Sequence, residues 1–225
     1  MKQTIKQSLQ DLFSKEVILF VIKIGMLSIA ISITTVWLFW DNLTALVESF
    51  LSWIPWEWLQ GAGAGIINLL LVYILFTIVV SILTSLMSEN LLRKLIKRHY
   101  PSISASGTAT IKRSIWLTLK ATVIFLLLFL IAIPLIFIPV IGQAVMLYLW
   151  SVLIKEPTIY DVTALFDHAE EIKSSKSKGY SILAMIASMF NYIPILNLFT
   201  PIFAQILFLH YVLSYSKQKI AADHL

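Results

Sequence analysis

Residues 58–88 contain no charged side chain, and a helix of that length, rising about 1.5 Å per residue, reaches past a hydrocarbon core of roughly 30 Å. A chain with such a run must place it in lipid or in a very large core. Composition decides between the two: of 225 residues, 59% are hydrophobic and 13% charged, against about 25% charged in an ordinary soluble domain. The chain is therefore an integral membrane protein, and a water-soluble globule is excluded. It has no cysteine, which removes disulfides, thiolate metal sites and cysteine nucleophiles. A cleavable signal is not expected, because Lys23 interrupts the first apolar run and no small-x-small site follows it.

The positions of the charges set a topology. Residues 17–40 are apolar apart from Lys23, a few hydroxyl residues and Gly25, and form a first transmembrane helix. Residues 58–97 form a second, whose end carries Arg93, Lys94 and Lys97 into the cytoplasm. Between them, Asp41, Glu48 and Glu57 occur with no Lys or Arg, and Trp53, Trp56 and Trp58 flank Pro55: an outside loop or interfacial helix with an aromatic belt. Every Lys and Arg lies at or before Lys23, between Arg93 and Lys120, between Lys155 and Lys178, or at Lys217 and Lys219. The positive-inside rule makes those four regions, and both termini, cytoplasmic. The net charge of +5 is thus read as membrane anchoring, with no nucleic-acid partner.

This orientation makes two uncharged runs leave and return on one side. In residues 114–154 the helix breakers Pro134, Pro139 and Gly142 sit in an apolar stretch that an aqueous loop would not use, and residues 143–154 supply only about 18 Å of helix. In residues 179–216 the same grammar recurs around Pro194 and Pro201, with arms of about 22 Å. Both read as re-entrant helical hairpins, whose backbone at membrane depth must be buried in protein or line a wet cavity. Between them, residues 158–177 read as an amphipathic cytoplasmic helix with Thr158 as N-cap after Pro157 and apolar Ile159, Val162, Leu165, Phe166, Ala169 and Ile172. Residues 1–13 are a weaker amphipathic segment, and residues 102–110 the best loop. The fold class is an all-α membrane protein of one domain: two long transmembrane helices, two re-entrant hairpins and a surface helix.

Two of these segments carry a resemblance. Ile136-Phe137-Ile138-Pro139-Val140-Ile141-Gly142-Gln143 followed by Trp150, and Tyr192-Ile193-Pro194-Ile195-Leu196-Asn197-Leu198-Phe199 with Pro201, resemble the hairpin signatures of the CysZ sulfate-permease family, which includes the etoposide-induced membrane proteins. Arg98-His99-Tyr100-Pro101 is similar to other bacterial members. The resemblance implies two long helices with two hemi-penetrating hairpins, movement of sulfate into the cytoplasm across a bacterial inner membrane, and a homo-oligomer. Permeases of this family also carry a Gly-Leu-Arg-Arg-like element before the first span, whose guanidinium groups meet the sulfate. In register on Phe20-Val21-Ile22, this chain has Val17-Ile18-Leu19 there, and both arginines are gone.

The function expected is a transport protein or channel for a small inorganic anion, with sulfate itself set against the missing arginines; the alternative is a non-transporting membrane scaffold or assembly factor. Lys15 and Lys23 are the nearest cations, and Gln143 and Asn197 the polar groups at the hairpin turns, so these four are the candidate pathway or anion contacts. Asn68, Asn191 and Gln205 are further polar groups in apolar runs. No nucleophile–base pair is in view, so no catalytic residue, enzyme activity or cofactor is expected. The histidines, His99, His168, His210 and His224, show no pair at ligand spacing and are read as interfacial or surface groups, with no metal. Gly61, Gly63 and Gly65 read as a close-packing stretch, since no strand precedes them and no phosphate-binding lysine follows.

Overall fold

A computed structural model describes residues 1–52, 57–136, 138–166, 177–193 and 195–223. Trp53 and Trp56, half of the expected surface helix (residues 167–176, with His168), and His224 lie outside the described residues. Among those described, the chain is all helical: α1 (Lys2–Leu12), α2 (Lys15–Leu38), α3 (Trp40–Leu51), α4 (Glu57–Met87), α5 (Glu89–His99), α6 (Ile111–Ile136), α7 (Ile141–Thr163), α8 (Ser177–Ser188) and α9 (Thr200–Asp223), with short 3₁₀ turns at Met189–Tyr192 and Leu196–Phe199. Three helical segments, Lys15–Leu38, Ile111–Ala132 and Leu196–Ser214, are long and apolar enough to cross a membrane, and the bent pair Leu75–Met87 and Glu89–His99 makes a fourth if it is one span. The protein is a multi-pass membrane protein.

The chain divides into two compact units, one of residues 1–21 with 84–225 and one of residues 22–83. In the smaller unit, Ile24, Ser28 and Ser32 are buried at helical spacing on α2, while Met26, Ile33 and Trp37 face outward. Small hydroxyl residues on the inner stripe let helices approach, and large apolar residues on the outer stripe suit lipid. In α3 of the same unit, the acidic stretch forms a short helix with Asp41 in its first turn.

The larger unit is organised around α9. Residues Ile202 to His210 are all buried, because α1, α5, α7 and α8 pack around them. An apolar helix buried on every side reads in sequence like one bathed in lipid; here its neighbours are protein. The expected N-terminal amphipathic segment is α1, whose Thr4, Ser8, Asp11 and Leu12 face inward against α9 while Phe13 is exposed. Leu12, Val17, Leu92, Leu95, Leu165, Leu183 and Phe208 belong to the same core.

The stretch expected to be one helix over 58–97 is two. The axis turns by 54° at Ser88, and α5 then buries Leu91, Leu92, Leu95 and Ile96 against the core. The amphipathic spacing of α5 explains the turn, since one face goes to the core and Lys94 and Lys97 stay outside. The loop at 102–110 is non-helical, as its Ser, Thr and Gly content suggests, and is held down. Arg93 donates to the carbonyls of Ala105 and Gly107 while pairing with Glu89 at 2.8 Å, and Gly107 N–H donates to the Leu165 carbonyl at 3.2 Å. A Cβ at position 107 would overlap the Ala164 carbonyl, so only glycine permits this approach.

α6 and α7 form one hairpin, α8 and α9 the other. α6 packs through Ser114, Thr118 and Ala121 and turns Trp116, Val123, Leu127, Leu130 and Ile131 outward, the distribution of a lipid-facing helix. Two proline positions differ from their sequence reading. Pro134 does not end α6, which continues to Ile136 and has the length of a full span. Pro157 does not start a surface helix: α7 runs through it to Thr163, and Thr158, Ile159, Asp161, Val162 and Thr163 are buried rather than superficial. A Pro-Thr-x-x-Asp sequence has the same local signature at a helix start and inside a helix that tertiary packing carries through; only the burial tells them apart.

Candidate functional site

The two hairpin turns are built alike. In the first, Val140 has φ 68° and ψ −52°, and Ile141 N–H donates across it to the Pro139 carbonyl at 2.8 Å, a three-residue γ-turn. In the second, Ile195 has φ 73° and ψ −45°. They are the two non-glycine residues at positive φ among the described residues, and each follows a proline. Gly142 lies so close to Ile136 that a Cβ would overlap the Ile136 carbonyl, which is how the chain reverses in so few residues.

The two turns meet. Tyr192 Oη donates to the Gln143 backbone carbonyl at 2.5 Å, joining the tip of the second hairpin to the first turn of α7. Thr200 Oγ1 donates to Asn191 Oδ1 at 2.9 Å and closes the second tip on the start of α9. Gln143 is exposed and Asn197 half-buried, with Asn197 N–H donating to the Ile193 carbonyl at 3.2 Å. The structure thus sets Gln143 and Asn197 at two tips that are tied to each other. Lys15 is exposed in the first turn of α2, beside Glu16, which Arg98 holds through two contacts of 2.7 and 2.8 Å. Lys23 is exposed in the smaller unit. At the position of the missing arginines, Val17 is in the core and Leu19 is exposed.

α9 carries buried polar side chains along its length: Thr200 at the tip, then Gln205, then His210. Gln205 Nε2 donates to Asp161 Oδ2 at 3.2 Å, and the same carboxylate accepts from Ser85 at 2.5 Å and from Ser114 at 2.8 Å. Asp161 lies beyond the candidate spans, and burial pushes its carboxyl above the usual range even though the three donors pull the other way.

Farther along, His210 Nε2 lies 2.8 Å from Asp11 Oδ2, His99 Nε2 lies 3.0 Å from Asp11 Oδ1, and His210 Nδ1 lies 3.1 Å from Tyr100 Oη. Burial pushes the Asp11 carboxyl up, but the hydrogen bonds and charges of the two imidazoles outweigh it and hold the group below its ordinary value. Burial and the neighbouring Asp11 push the Tyr100 phenol up.

His210 is therefore fully buried and not interfacial, a correction to the reading of the histidines one at a time. Asp11, His99 and His210 are far apart in sequence, and spacing alone does not group them. The available signal was His210 itself, a titratable residue in an otherwise uncharged run, which needs a partner. Asp161 gave none, because its place after Thr158 suited a helix cap.

The family model described as sulfate transporter CysZ/etoposide-induced protein 2.4 covers residues 4–201. The chain belongs to this family. No curated protein and no solved structure matches it. The match takes in both hairpin turns and α1 from Thr4, and it stops just inside α9, so the His210 end of the polar series lies beyond it.

Proposed function

We propose that this CysZ-family protein is a transport protein or channel for a small inorganic anion in a bacterial inner membrane, with both termini cytoplasmic. The observation that carries the reading is the family match over residues 4–201, a family described as sulfate transporters. The joined hairpin tips support it: Tyr192 holds Gln143 and the second turn together, and such irregular backbone at membrane depth belongs where it is buried in protein or lines water. The hairpins dip and return rather than cross. α8, at twelve residues, is about 18 Å long and falls short of a bilayer, whereas α6 has length to spare and tilts or extends into the cytoplasm. Lys15, Gln143 and Asn197 of the larger unit are the proposed contacts for the anion, with Lys23 of the smaller unit a separate candidate, and transport calls for no catalytic residue or cofactor in a homo-oligomer embedded in lipid.

Sulfate is a poor fit to the family's arginine position. Ile18 and Leu19 offer no charge and no side-chain donor, and a lysine at Lys15 is a hydrated point charge rather than a planar fork. That same replacement favours one second reading, a scaffold or assembly factor that keeps the fold and has lost transport. Small-anion counterflow in liposomes separates the two: uptake above protein-free vesicles supports transport, and none for any anion, with a stoichiometric partner co-purifying, supports the scaffold.

A further inference from the structure

We propose that Asp11, His99 and His210 form a zinc site that fastens α1 to α5 and α9. The three residues come from three helices, and one ligand atom from each lies within 4.8 Å of the other two. Zinc takes imidazole nitrogen and carboxylate oxygen at about 2.0–2.2 Å, which in a tetrahedron sets neighbouring ligand atoms somewhat over 3 Å apart. The contacts of 2.8 and 3.0 Å that already join the carboxylate to each imidazole are close to that spacing. A cation between them needs the rings and the carboxylate to turn so that the three ligand atoms, now within 4.8 Å of one another, close on it.

The surroundings suit a metal as well as the ligands do. A ligating imidazole gives up the proton on the bonding nitrogen and steadies itself by donating from the other. His210 binds through Nε2, its proton resides on Nδ1, and Nδ1–H then donates to Tyr100 Oη at the 3.1 Å already present. A hydroxyl both donates and accepts, so Tyr100 serves the ring in either tautomer. His210 is fully buried and Asp11 nearly so, whereas the His99 side chain is 29% exposed, which leaves a way in for the ion. The chain lacks cysteine, so two imidazoles and a carboxylate are the set, with at least one position left for water. Zinc is chosen because it is borderline in softness and suits imidazole with carboxylate.

The test uses the full chain in detergent, made without a polyhistidine tag and with His168→Ala and His224→Ala so that neither other histidine competes. Zinc is titrated by calorimetry, and cobalt(II) by its visible absorption. One equivalent per chain is expected, with intense low-coordinate cobalt bands. His99→Ala and Asp11→Ala should each weaken zinc by more than the 10–100-fold typical of losing an outer-shell partner, and Tyr100→Phe by about 10-fold. His99 is partly exposed, so its variant should stay monodisperse and helical even if an Asp11 variant does not. No stoichiometric binding, or binding unchanged in monodisperse His99→Ala, overturns the site and leaves an aspartate bonded between two histidines.

Discussion

Val140 and Ile195, one at each hairpin turn, share a backbone conformation that β-branched residues rarely adopt, φ 68° with ψ −52° and φ 73° with ψ −45°. Holding such a residue there costs on the order of 1–3 kcal/mol, and it persists only where the surroundings impose it. Both residues are also largely exposed, at 80% and 74%, so the cost is not offset by packing in the protein core. Glycine relieves the strain and loses little contact. Val140→Gly is expected to raise the thermal unfolding midpoint in detergent and Val140→Ala to raise it far less. A glycine variant no more stable than the alanine one would mean the turn is unstrained.

The bond between the tips should be modest in energy and specific in place. Tyr192→Phe removes one hydrogen bond, worth about 0.5–1.5 kcal/mol. Hydrogen exchange should rise around residues 141–143 and 190–198 and stay unchanged in α5. A uniform rise would show that the substitution had loosened the whole larger unit.

Topology is open to direct labelling, because the chain contains no cysteine. In sealed cells, Ser106→Cys should resist an impermeant thiol reagent until the membrane is opened, and Glu48→Cys should react from outside. Labelling of position 106 in intact cells would invert the orientation.

The buried Asp161 carboxyl should make stability depend on pH in the sense opposite to a salt-bridged acid. Its folded value lies above the unfolded 3.8, so the fold holds the proton more tightly than the unfolded chain does. The contribution is full below about pH 3.8 and is lost as pH rises through the folded value. Relative to Asp161→Asn, wild-type stability should therefore fall between pH 4 and neutrality. A rise over that interval would mean that Ser85, Ser114 and Gln205 stabilise the ionised group more than burial opposes it.

Runs without charge reveal the long apolar helices, and Pro139 and Pro194 mark both turns, because backbone limits and the cost of charge in hydrocarbon act locally. Pro157 and Ser88 mislead for the converse reason: whether a helix runs through a proline or bends at a serine depends on what it packs against. Lys15, Lys23, Gln143 and Asn197 stand out in the sequence as polar groups near apolar runs, yet the buried carboxylates with several side-chain partners are Asp161 and Asp11. Those pairings join residues 44 to 199 positions apart, and only the fold brings them together.

If small anions pass the joined hairpin tips, flux through tagged tips reports it. Gln143→Cys and Asn197→Cys chains are reconstituted in liposomes, and anion uptake is measured before and after a negatively charged methanethiosulfonate reagent. Uptake by both variants is expected, with its loss once either cysteine is labelled and no effect of the reagent on the cysteine-free parent. Complete labelling of both positions with uptake undiminished would contradict it, as would the absence of uptake of any small inorganic anion by the parent chain.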